Sequence, residues 1–298
     1  MTRMHVHVHA RGAALLLVLW LVALLTALVG GFALAARMEH LQGQVLARGV
    51  VADEAARAGI EYALVRVQEE DPRLRWVADG RPYRWTFGDA VDEVRITDEQ
   101  GKVDLNLAQA DLLAALFRQF GTDPDQARHL AGAVIDWRDG DVLTQPGGGA
   151  EDGDYAAAGL PYGSKDEPFE SVAELQQVLG MPKTLYARVA PFLTVFSGRA
   201  NPDPAFAPAE VLRAMGYDAE RIVAQRRAWT PGSGQPPPLL PDGQSLGGNI
   251  SGTYSIESRA RLREGRVAVL RVTLRVGGNG LPGSAWTPLR WEEGASPR

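Results

Sequence analysis

An apolar run near the amino terminus constrains this chain more than any other feature. No charged residue occurs between Ala13 and Ala36. A helix of this length can cross the hydrocarbon core of a bilayer, which takes roughly 17–25 apolar residues. Arg3 and Arg11 precede the run, and positive flanks stay on the cytoplasmic side of a membrane. The sequence therefore predicts a single-pass membrane protein whose residues after the run are exported.

Three interpretations of this run are open. A secretory signal peptide would be cut near Ala33-Leu34-Ala35, but its apolar region is normally only about 7–15 residues long. A plain, unprocessed anchor is the second possibility. The third rests on Arg11-Gly12-Ala13, since a short basic leader ending in Gly directly before the helix resembles the class III signal of type IV pilins and pseudopilins. That resemblance implies cleavage by a prepilin peptidase after Gly12 and methylation of the new amino terminus at Ala13.

The net charge and the lack of cysteine limit the classes of protein to which this chain can belong. The 298 residues carry a net charge of −5 with a pI near 5.6, whereas dedicated nucleic-acid binders usually present a basic surface. The chain contains no cysteine. An exported protein of this kind has no disulfide framework and must be stabilised by its core or by metal ions.

The order of the predicted elements indicates an interrupted sheet. Helical periodicity continues beyond the apolar run to about residue 68, where Asp71-Pro72 ends it. Strand patterns then occupy 81–87 and 91–98, and alternation returns as a hairpin over 254–262 and 266–276. Trp286 and Trp291 belong either to an edge strand or to a loose end. Between the two strand regions the sequence predicts helices at 106–120, 124–137, 171–179, 183–190, 207–215 and 218–229, a loop at 138–168, a strand at 192–196 and a connector at 230–249.

This layout and several motifs closely resemble the K-type minor pseudopilin family of type II secretion. The matching segments are Arg11-Gly12-Ala13, 102–106, 133–139, Asp154-Tyr155, Pro161-Tyr162, 168–175 and 191–195, and the Pro-Phe-Glu-Ser stretch at 168–171 is the most specific of them. The resemblance implies an α+β pseudopilin fold, in which a long transmembrane and spine helix packs on a small antiparallel sheet that carries a large inserted all-α domain. The corresponding boundaries are a leader at 1–12, a transmembrane helix at 13–36, spine helix and first strands at 37–101, the inserted domain with its acidic loop at 102–249, and C-terminal strands at 250–298.

The same resemblance implies a non-enzymatic function. Members of this family form the tip of the pseudopilus above the I- and J-type minor pseudopilins, cap it, and initiate its assembly for export across the outer membrane. Expected partners are those two pseudopilins, the prepilin peptidase and the inner-membrane secretion platform, with the exported domain in the periplasm. Most pilins carry Glu at the fifth mature position, but here that position is Leu17. Because a carboxylate in lipid is costly unless it is paired, its loss suits a subunit that has no neighbour in front of it.

An acidic loop is the best candidate site. Nine carboxylates lie between Asp136 and Glu170, together with Gly147-Gly148-Gly149, which permits tight turns. Calcium takes six to eight oxygen ligands, and a long loop without periodicity needs something to order it. The family resemblance also implies calcium in the helical domain, whereas the alternative is a solvated acidic loop. The predicted calcium ligands are Asp136, Asp139, Asp141, Glu151, Asp152 and Asp154.

Two other functions stay open at this stage. The helical pairs at 104–120 and 172–190, with a turn at Leu179-Gly180-Met181, resemble helix-hairpin-helix units, and a membrane-anchored nucleic-acid-binding protein could use them. Their acidic surroundings argue for a structural hairpin and against a nucleic-acid partner. A tip minor pilin of a type IV pilus is the second alternative. His40 and His129 are the histidines beyond the leader, and with no nucleophile elbow, P-loop or dinucleotide fingerprint the sequence predicts no enzyme.

Overall fold

The computed structural model describes residues 11–277 and 285–294. Helix α1, Arg11–Val67, opens the described chain and continues through Gly43 and Gly49 without a break. The chain divides within this helix into two compact units, the first ending at Ala52 and the second beginning at Asp53.

The first unit is the amino-terminal part of α1. From Leu15 to Leu34 its large apolar side chains are 50% to 73% exposed. Within the described residues, this is the one helix that is long and apolar enough to cross a membrane. Exposed aliphatic side chains over this length are stable in lipid rather than water, which agrees with a single-pass anchor.

The second unit contains a five-stranded sheet. Its strands are β1 (Asp79–Phe87), β2 (Ala90–Asp98), β5 (Thr253–Leu262), β6 (Val267–Val276) and β7 (Trp286–Glu293). All neighbours pair antiparallel in the order β1-β2-β5-β6-β7. Trp286 and Trp291 therefore lie in an edge strand. The predicted hairpin of β5 and β6 is present, and Gly265 in its turn has φ +93°, a conformation that glycine adopts at little cost.

Alternating burial along the strands shows which sheet face receives α1. In β2, residues 90, 92, 94, 96 and 98 are buried and their neighbours are not. The carboxy-terminal part of α1 packs on this face, where the ring of Tyr62 stacks on Trp85 at 4.5 Å and the Arg57 guanidinium lies 5.4 Å from the Trp291 ring. Period-2 burial is what a sheet with one covered face requires.

The helical block is inserted between two adjacent strands. Strand β2 ends at Asp98, β5 begins at Thr253, and their residues pair directly, with Asp98 opposite Tyr254. Between them lie β3 (Val103–Asp104), α2 (Ala110–Gln119), α3 (Pro124–Arg138), α4 (Asp152–Ala157), α5 (Lys183–Val189), β4 (Leu193–Thr194), α6 (Ala209–Ala214) and α7 (Ala219–Ala228). Strands β3 and β4 pair in parallel inside the block.

Three local predictions were inaccurate. The loop at 138–168 contains the short helix α4, whose start is capped because Glu151 N donates to Asp154 Oδ2 at 2.9 Å. The helix expected at 171–179 is a 3₁₀ turn, Val172–Gln176. The strand expected at 192–196 is only Leu193–Thr194, since a 3₁₀ turn containing Pro191 precedes it and Pro lacks the N–H that a strand needs.

The inserted block has its own core. Helices α2 and α3 pack their apolar faces together, and fully buried side chains from later segments complete the cluster. Its large members include Leu113, Leu116, Phe117, Leu130, Val134, Trp137, Tyr155, Phe169 and Leu175. The block is therefore held by burial of apolar surface, and it fixes the last turn of α3 against the acidic loop.

Candidate metal centre

Asp136 anchors the acidic loop to helix α3. It lies in the last turn of the helix and is fully buried. Its Oδ1 accepts a hydrogen bond from Gln145 N at 3.2 Å, and its Oδ2 accepts one from Ala150 N at 2.8 Å. The carboxylate thus binds the backbone at both ends of the glycine segment, which satisfies amides that the loop would otherwise bury unpaired.

Glycines allow the loop to approach the helix this closely. A Cβ atom on Gly149 would lie 1.9 Å from Asp136 Oδ2, and a Cβ on Gly132 of α3 would lie 1.7 Å from the Gly148 carbonyl oxygen. Gly148 itself has φ +94°, where glycine is favoured. Any side chain at 132 or 149 would have to displace the loop.

Three carboxylates converge on one point. Asp136, Asp139 and Glu151 each offer an oxygen within 4.8 Å of the others. Asp139 Oδ1 and Glu151 Oε1 are buried atoms that have no hydrogen-bond partner in the described part of the chain. Two buried carboxylate oxygens without donors are costly unless a cation or water satisfies them.

The pKa values of these groups reflect that crowding. Burial raises the pKa of Asp136, its two amide donors lower it, and the charges of Asp139 and Asp141 raise it again. Burial also raises the pKa of Asp139, and the charge of Asp141 adds to the effect. For Glu151, burial and then the charges of Asp136 and Asp139 raise the pKa. The folded chain holds mutually repelling carboxylates at short range, and a divalent cation would relieve that repulsion.

The other three predicted ligands make local hydrogen bonds instead. Asp141 Oδ1 accepts from Leu143 N at 2.8 Å, and Asp152 Oδ1 accepts from Ser164 N at 3.1 Å. Asp154 caps α4 through Glu151 N. Of the six predicted ligands, the structure brings three together, and Asp141, Asp152 and Asp154 lie outside that group.

The converging oxygens suit a hard cation. Carboxylate oxygens are the ligands that calcium prefers, and backbone carbonyls and water usually complete its six to eight contacts. Asp136, Asp139 and Glu151 would hold such an ion, and their two unpartnered oxygens give it direct ligands. The ion would act structurally, by joining the end of α3 to the start of α4. Binding of calcium and the full six-residue ligand set stay predictions.

One nearby carboxylate was missing from the predicted ligand set. Asp166 adopts φ +56°, which is unusual for a residue other than glycine, and its N–H donates to the Trp137 carbonyl at 3.0 Å. Its charge contributes to the raised pKa values of Asp139 and Glu151. Because Glu167 is adjacent and equally acidic, nothing in the sequence distinguishes Asp166 in advance.

The processing site lies at the border of the described residues. Leader residues 1–10 are outside them, and Gly12 and Ala13 are described only as backbone within α1. Cleavage after Gly12 and methylation of Ala13 stay predictions. Leu17 is described, and its side chain is 69% exposed.

The structure defines an α+β protein whose sheet is interrupted by a helical insertion and whose long apolar helix is consistent with a single-pass membrane anchor. Residues 93–198 match the family model described as type II secretion system (T2SS), protein K. Type II secretion system protein K of Klebsiella pneumoniae is 30% identical over 207 residues, which cover 61% of this chain and 62% of that protein. Its counterpart from Pectobacterium carotovorum is 26% identical over 204 residues, with the same coverage.

A solved structure shows the same fold. It is titled the crystal structure of the GspK-GspI-GspJ complex from the enterotoxigenic Escherichia coli type 2 secretion system. The aligned chain has a TM-score of 0.55 at 20% identity and covers 88% of this chain and 99% of that one. The resemblance drawn from the sequence is confirmed: the chain is similar to type II secretion system protein K over the matched residues, and its α+β fold matches that of the solved structure. The matched region spans less than two thirds of the curated relatives' length.

Proposed function

We propose that the chain is a non-enzymatic minor pseudopilin that sits at the tip of a type II secretion pseudopilus. The observation that carries the proposal is the insertion of residues 99–252 between the hydrogen-bonded neighbours β2 and β5, in a chain related to protein K. A bulky block on one subunit would obstruct addition of a further subunit in front of it. The chain would therefore cap the pseudopilus and initiate its assembly.

The membrane segment supports the same position. Leu17 is an aliphatic residue where most pilins carry the Glu that meets the terminal amine of the subunit ahead. A subunit with nothing ahead of it needs no such carboxylate, and leaving one unpaired in lipid would be costly. The anchor would hold the protein in the inner membrane as a single span, with residues after 36 in the periplasm.

The expected partners follow from the family. The structural relative was solved as a complex of GspK with GspI and GspJ, and the proposed partners of this chain are the I- and J-type minor pseudopilins. Prepilin peptidase would process it after Gly12, and the inner-membrane secretion platform would assemble it. Calcium held by the converging carboxylates would order the loop of the inserted block.

The first test is the amino terminus. The full chain is extracted from membranes of cells that carry its own secretion system, and its intact mass and amino-terminal peptide are determined. A terminus at N-methylated Ala13 supports the proposal. A terminus at Met1 indicates a plain anchor and one at Ala36 a signal-peptide product, and either result contradicts it.

The second test locates the subunit in the filament. Immunogold labelling should find the unmodified chain at pseudopilus ends, and Leu17→Glu should move part of it to internal positions because the new carboxylate can pair with a terminal amine ahead. Leu16→Glu is the matched control, since it adds the same charge at a position that cannot make that pair. Unmodified chain distributed along filaments, or the same redistribution by both variants, would contradict the tip assignment.

A further inference from the structure

The insertion is attached to the sheet by two chain segments that lie side by side. The first leaves β2 at Asp98 and the second enters β5 at Thr253, and these two strands are hydrogen-bonded neighbours. Asp98 is fully buried and ties the segments together, because its Oδ1 accepts from Ser251 Oγ at 2.7 Å and its Oδ2 from Ser251 N at 2.8 Å. Gln100 Nε2 also donates to the Asn249 carbonyl at 2.9 Å. Two adjacent connections of this kind form a hinge about which an inserted block can turn.

Beyond this hinge, a buried carboxylate joins the insertion to the sheet. Glu99 is 2% exposed. Its Oε1 accepts hydrogen bonds from Ser255 Oγ of β5 and from Lys102 Nζ, each at 2.6 Å. Its Oε2 accepts one from the hydroxyl of Thr194 in β4, which is also buried. These four residues, which we call the Glu99 latch, connect β4 to β5 through one carboxylate.

The hydrogen bonds of the Glu99 latch favour a single arrangement. Both oxygens of the carboxylate have donors, and Lys102 supplies the compensating positive charge. Buried polar networks whose members are all satisfied are rigid, and an ion pair in the interior is strongly destabilised when one partner is removed. A rotation that carried Thr194 away from β5 would deprive Glu99 Oε2 of its donor. The latch therefore opposes turning of the insertion about the hinge.

The latch lies at a cleft between the insertion and the sheet face that points away from α1. All four latch residues line this cleft, and Val172 and Phe192 form part of its insertion side. The cleft encloses about 470 Å³, which leaves the insertion room to move relative to the sheet. The angle at which the latch holds the insertion thus sets the width of the cleft.

We propose that the Glu99 latch is a conformational device that holds the insertion at one angle to the sheet. Loss of the hydrogen bond between Thr194 and Glu99 releases it, because this bond attaches β4 to the carboxylate. The insertion then turns about the hinge at Asp98 and Ser251, and the cleft changes width while the core of the insertion stays intact. The device needs only contacts within the folded chain, so it does not depend on the proposed secretion role.

Spin-label distances in the full chain test this proposal. The chain contains no cysteine, so labels attach only where a cysteine is introduced. Gln119→Cys in α2 with Arg261→Cys in β5 gives a pair across the hinge, and Gln119→Cys with Gln177→Cys gives a pair inside the insertion. All three positions are exposed. Double electron–electron resonance in detergent should give a narrow distance distribution for both pairs.

Substitutions in the latch should change the distance across the hinge. Thr194→Val keeps the shape of the side chain and removes its hydroxyl, and it should raise the population with a changed distance roughly tenfold or more, as expected for loss of a hydrogen bond to a charged group. Thr194→Val/Ser255→Ala removes both hydroxyl donors of the carboxylate and should broaden the distribution further. Thr194→Ser keeps the hydroxyl and should retain the narrow distribution.

Ser197→Ala is the matched control. It also removes a hydroxyl that donates to a buried carboxylate, since Ser197 Oγ lies 2.9 Å from Asp104 Oδ2, but both partners belong to the insertion. The distance across the hinge should stay narrow. Equal broadening by Ser197→Ala, or a distribution as narrow in the Thr194→Val/Ser255→Ala variant as in the unmodified chain, would overturn the proposal. Equal broadening of the pair inside the insertion would also overturn it, because the insertion would then be unfolding and not turning.

A second contact between the insertion and the sheet is an alternative to the latch. Arg81 Nη2 of β1 donates to the Arg226 carbonyl of α7 at 2.7 Å. Arg81→Gln removes this contact and should leave the distance across the hinge narrow, because the latch is intact. If Arg81→Gln broadens the distribution and the Thr194 variants do not, the insertion is held at β1 and the proposal is wrong.

Discussion

Gly59 of α1 and Asp92 of β2 meet at the helix–sheet interface. A Cβ atom on Gly59 would lie 2.0 Å from Asp92 Oδ2 and 2.3 Å from the Ser258 hydroxyl oxygen. Asp92 is fully buried, and its Oδ2 accepts hydrogen bonds from Ser258 Oγ at 2.8 Å and Trp85 Nε1 at 3.2 Å. The helix can cover this polar pair only because residue 59 has no side chain.

Replacing Gly59 with alanine should therefore destabilise the fold. The clash should lower the free energy of unfolding by roughly 1–3 kcal/mol. The higher helix propensity of alanine offsets at most about 1 kcal/mol of that loss. Gly43→Ala is the matched control, since that glycine is in the same helix and nothing lies within 4 Å of its added Cβ. Urea unfolding of the full chain in micelles, followed by tryptophan fluorescence, should show a lower midpoint only for the first variant. Equal midpoints for the two variants would show that the helix does not press on Asp92.

Asp92 should also make the stability of the fold depend on pH. Burial raises its pKa to about 6, although hydrogen bonds from Ser258 and Trp85 lower it in part. Its neighbours from three elements, Gly59, Trp85 and Ser258, carry no charge, and Asp92 Oδ1 is buried without a partner in the described part of the chain. The protonated form is thus favoured in the folded state.

The sign follows from comparing the folded pKa with the ordinary value of 3.8. Between pH 3.8 and about 6 the unfolded chain releases the proton and the folded chain keeps it, so this group lowers stability as the pH rises. The loss is complete above that window and amounts to about 3 kcal/mol. In Asp92→Asn, the free energy of unfolding relative to the unmodified chain should rise by most of that amount, about 2.4 kcal/mol, between pH 4 and 7. Asp89→Asn, at an exposed turn position, should show no such rise. A difference that is constant with pH for Asp92→Asn would contradict the raised pKa.

The sequence predicted the two elements that form this interface, but it did not predict the contact between Gly59 and Asp92 at its centre. Alternation over residues 91–98 identified β2, and the helical spacing up to Val65 identified the part of α1 that packs on it. Asp92 lies on the apolar side of that alternation, together with Val94 and Ile96. A carboxylate at a buried strand position is a visible anomaly, but the glycine that permits its burial is 33 positions earlier, and only the fold places the two together.

In the acidic loop, too, the sequence identified the region of the site but not the residues that form it. The sequence indicated a cation site from the density of carboxylates, and it could not separate Asp136, Asp139 and Glu151 from the acids around them. That separation depends on whether each side chain points into the loop or caps a nearby amide, as Asp141 and Asp154 do. Local capping competes for the same oxygens, and backbone geometry decides the outcome.

Gly149 should be essential for the geometry of this loop. Its replacement by alanine places a Cβ 1.9 Å from Asp136 Oδ2, so the loop must move away from α3 and the hydrogen bond to Ala150 N must lengthen. We expect a loss of stability of roughly 1–3 kcal/mol. Gly147→Ala, with nothing within 4 Å of the added atom, should be nearly neutral in the same thermal unfolding experiment. A larger effect at 147 than at 149 would contradict the described packing.

Calcium should stabilise the chain through the three converging carboxylates. A ligand that binds only the folded state adds about 2.7 kcal/mol at a concentration one hundred times its dissociation constant, so calcium should raise the unfolding temperature of the chelator-treated full chain. Magnesium should act less, because it demands a small octahedral site and gives up water reluctantly.

Substitutions can distinguish the three converging carboxylates from the neighbouring acidic residues as calcium ligands. Asp139→Asn and Glu151→Gln each remove the negative charge of a carboxylate that has a buried oxygen without a donor, and both should abolish most of the calcium-dependent rise. Without calcium they should be as stable as the unmodified chain or more so, because a repelling charge is gone. Asp141→Asn removes an exposed carboxylate that is outside the group and should retain the rise. An equal rise in unfolding temperature with calcium in all three variants would show that the ion binds elsewhere. No rise in the unmodified chain would show that the three carboxylates bind no calcium, which contradicts the proposed ion.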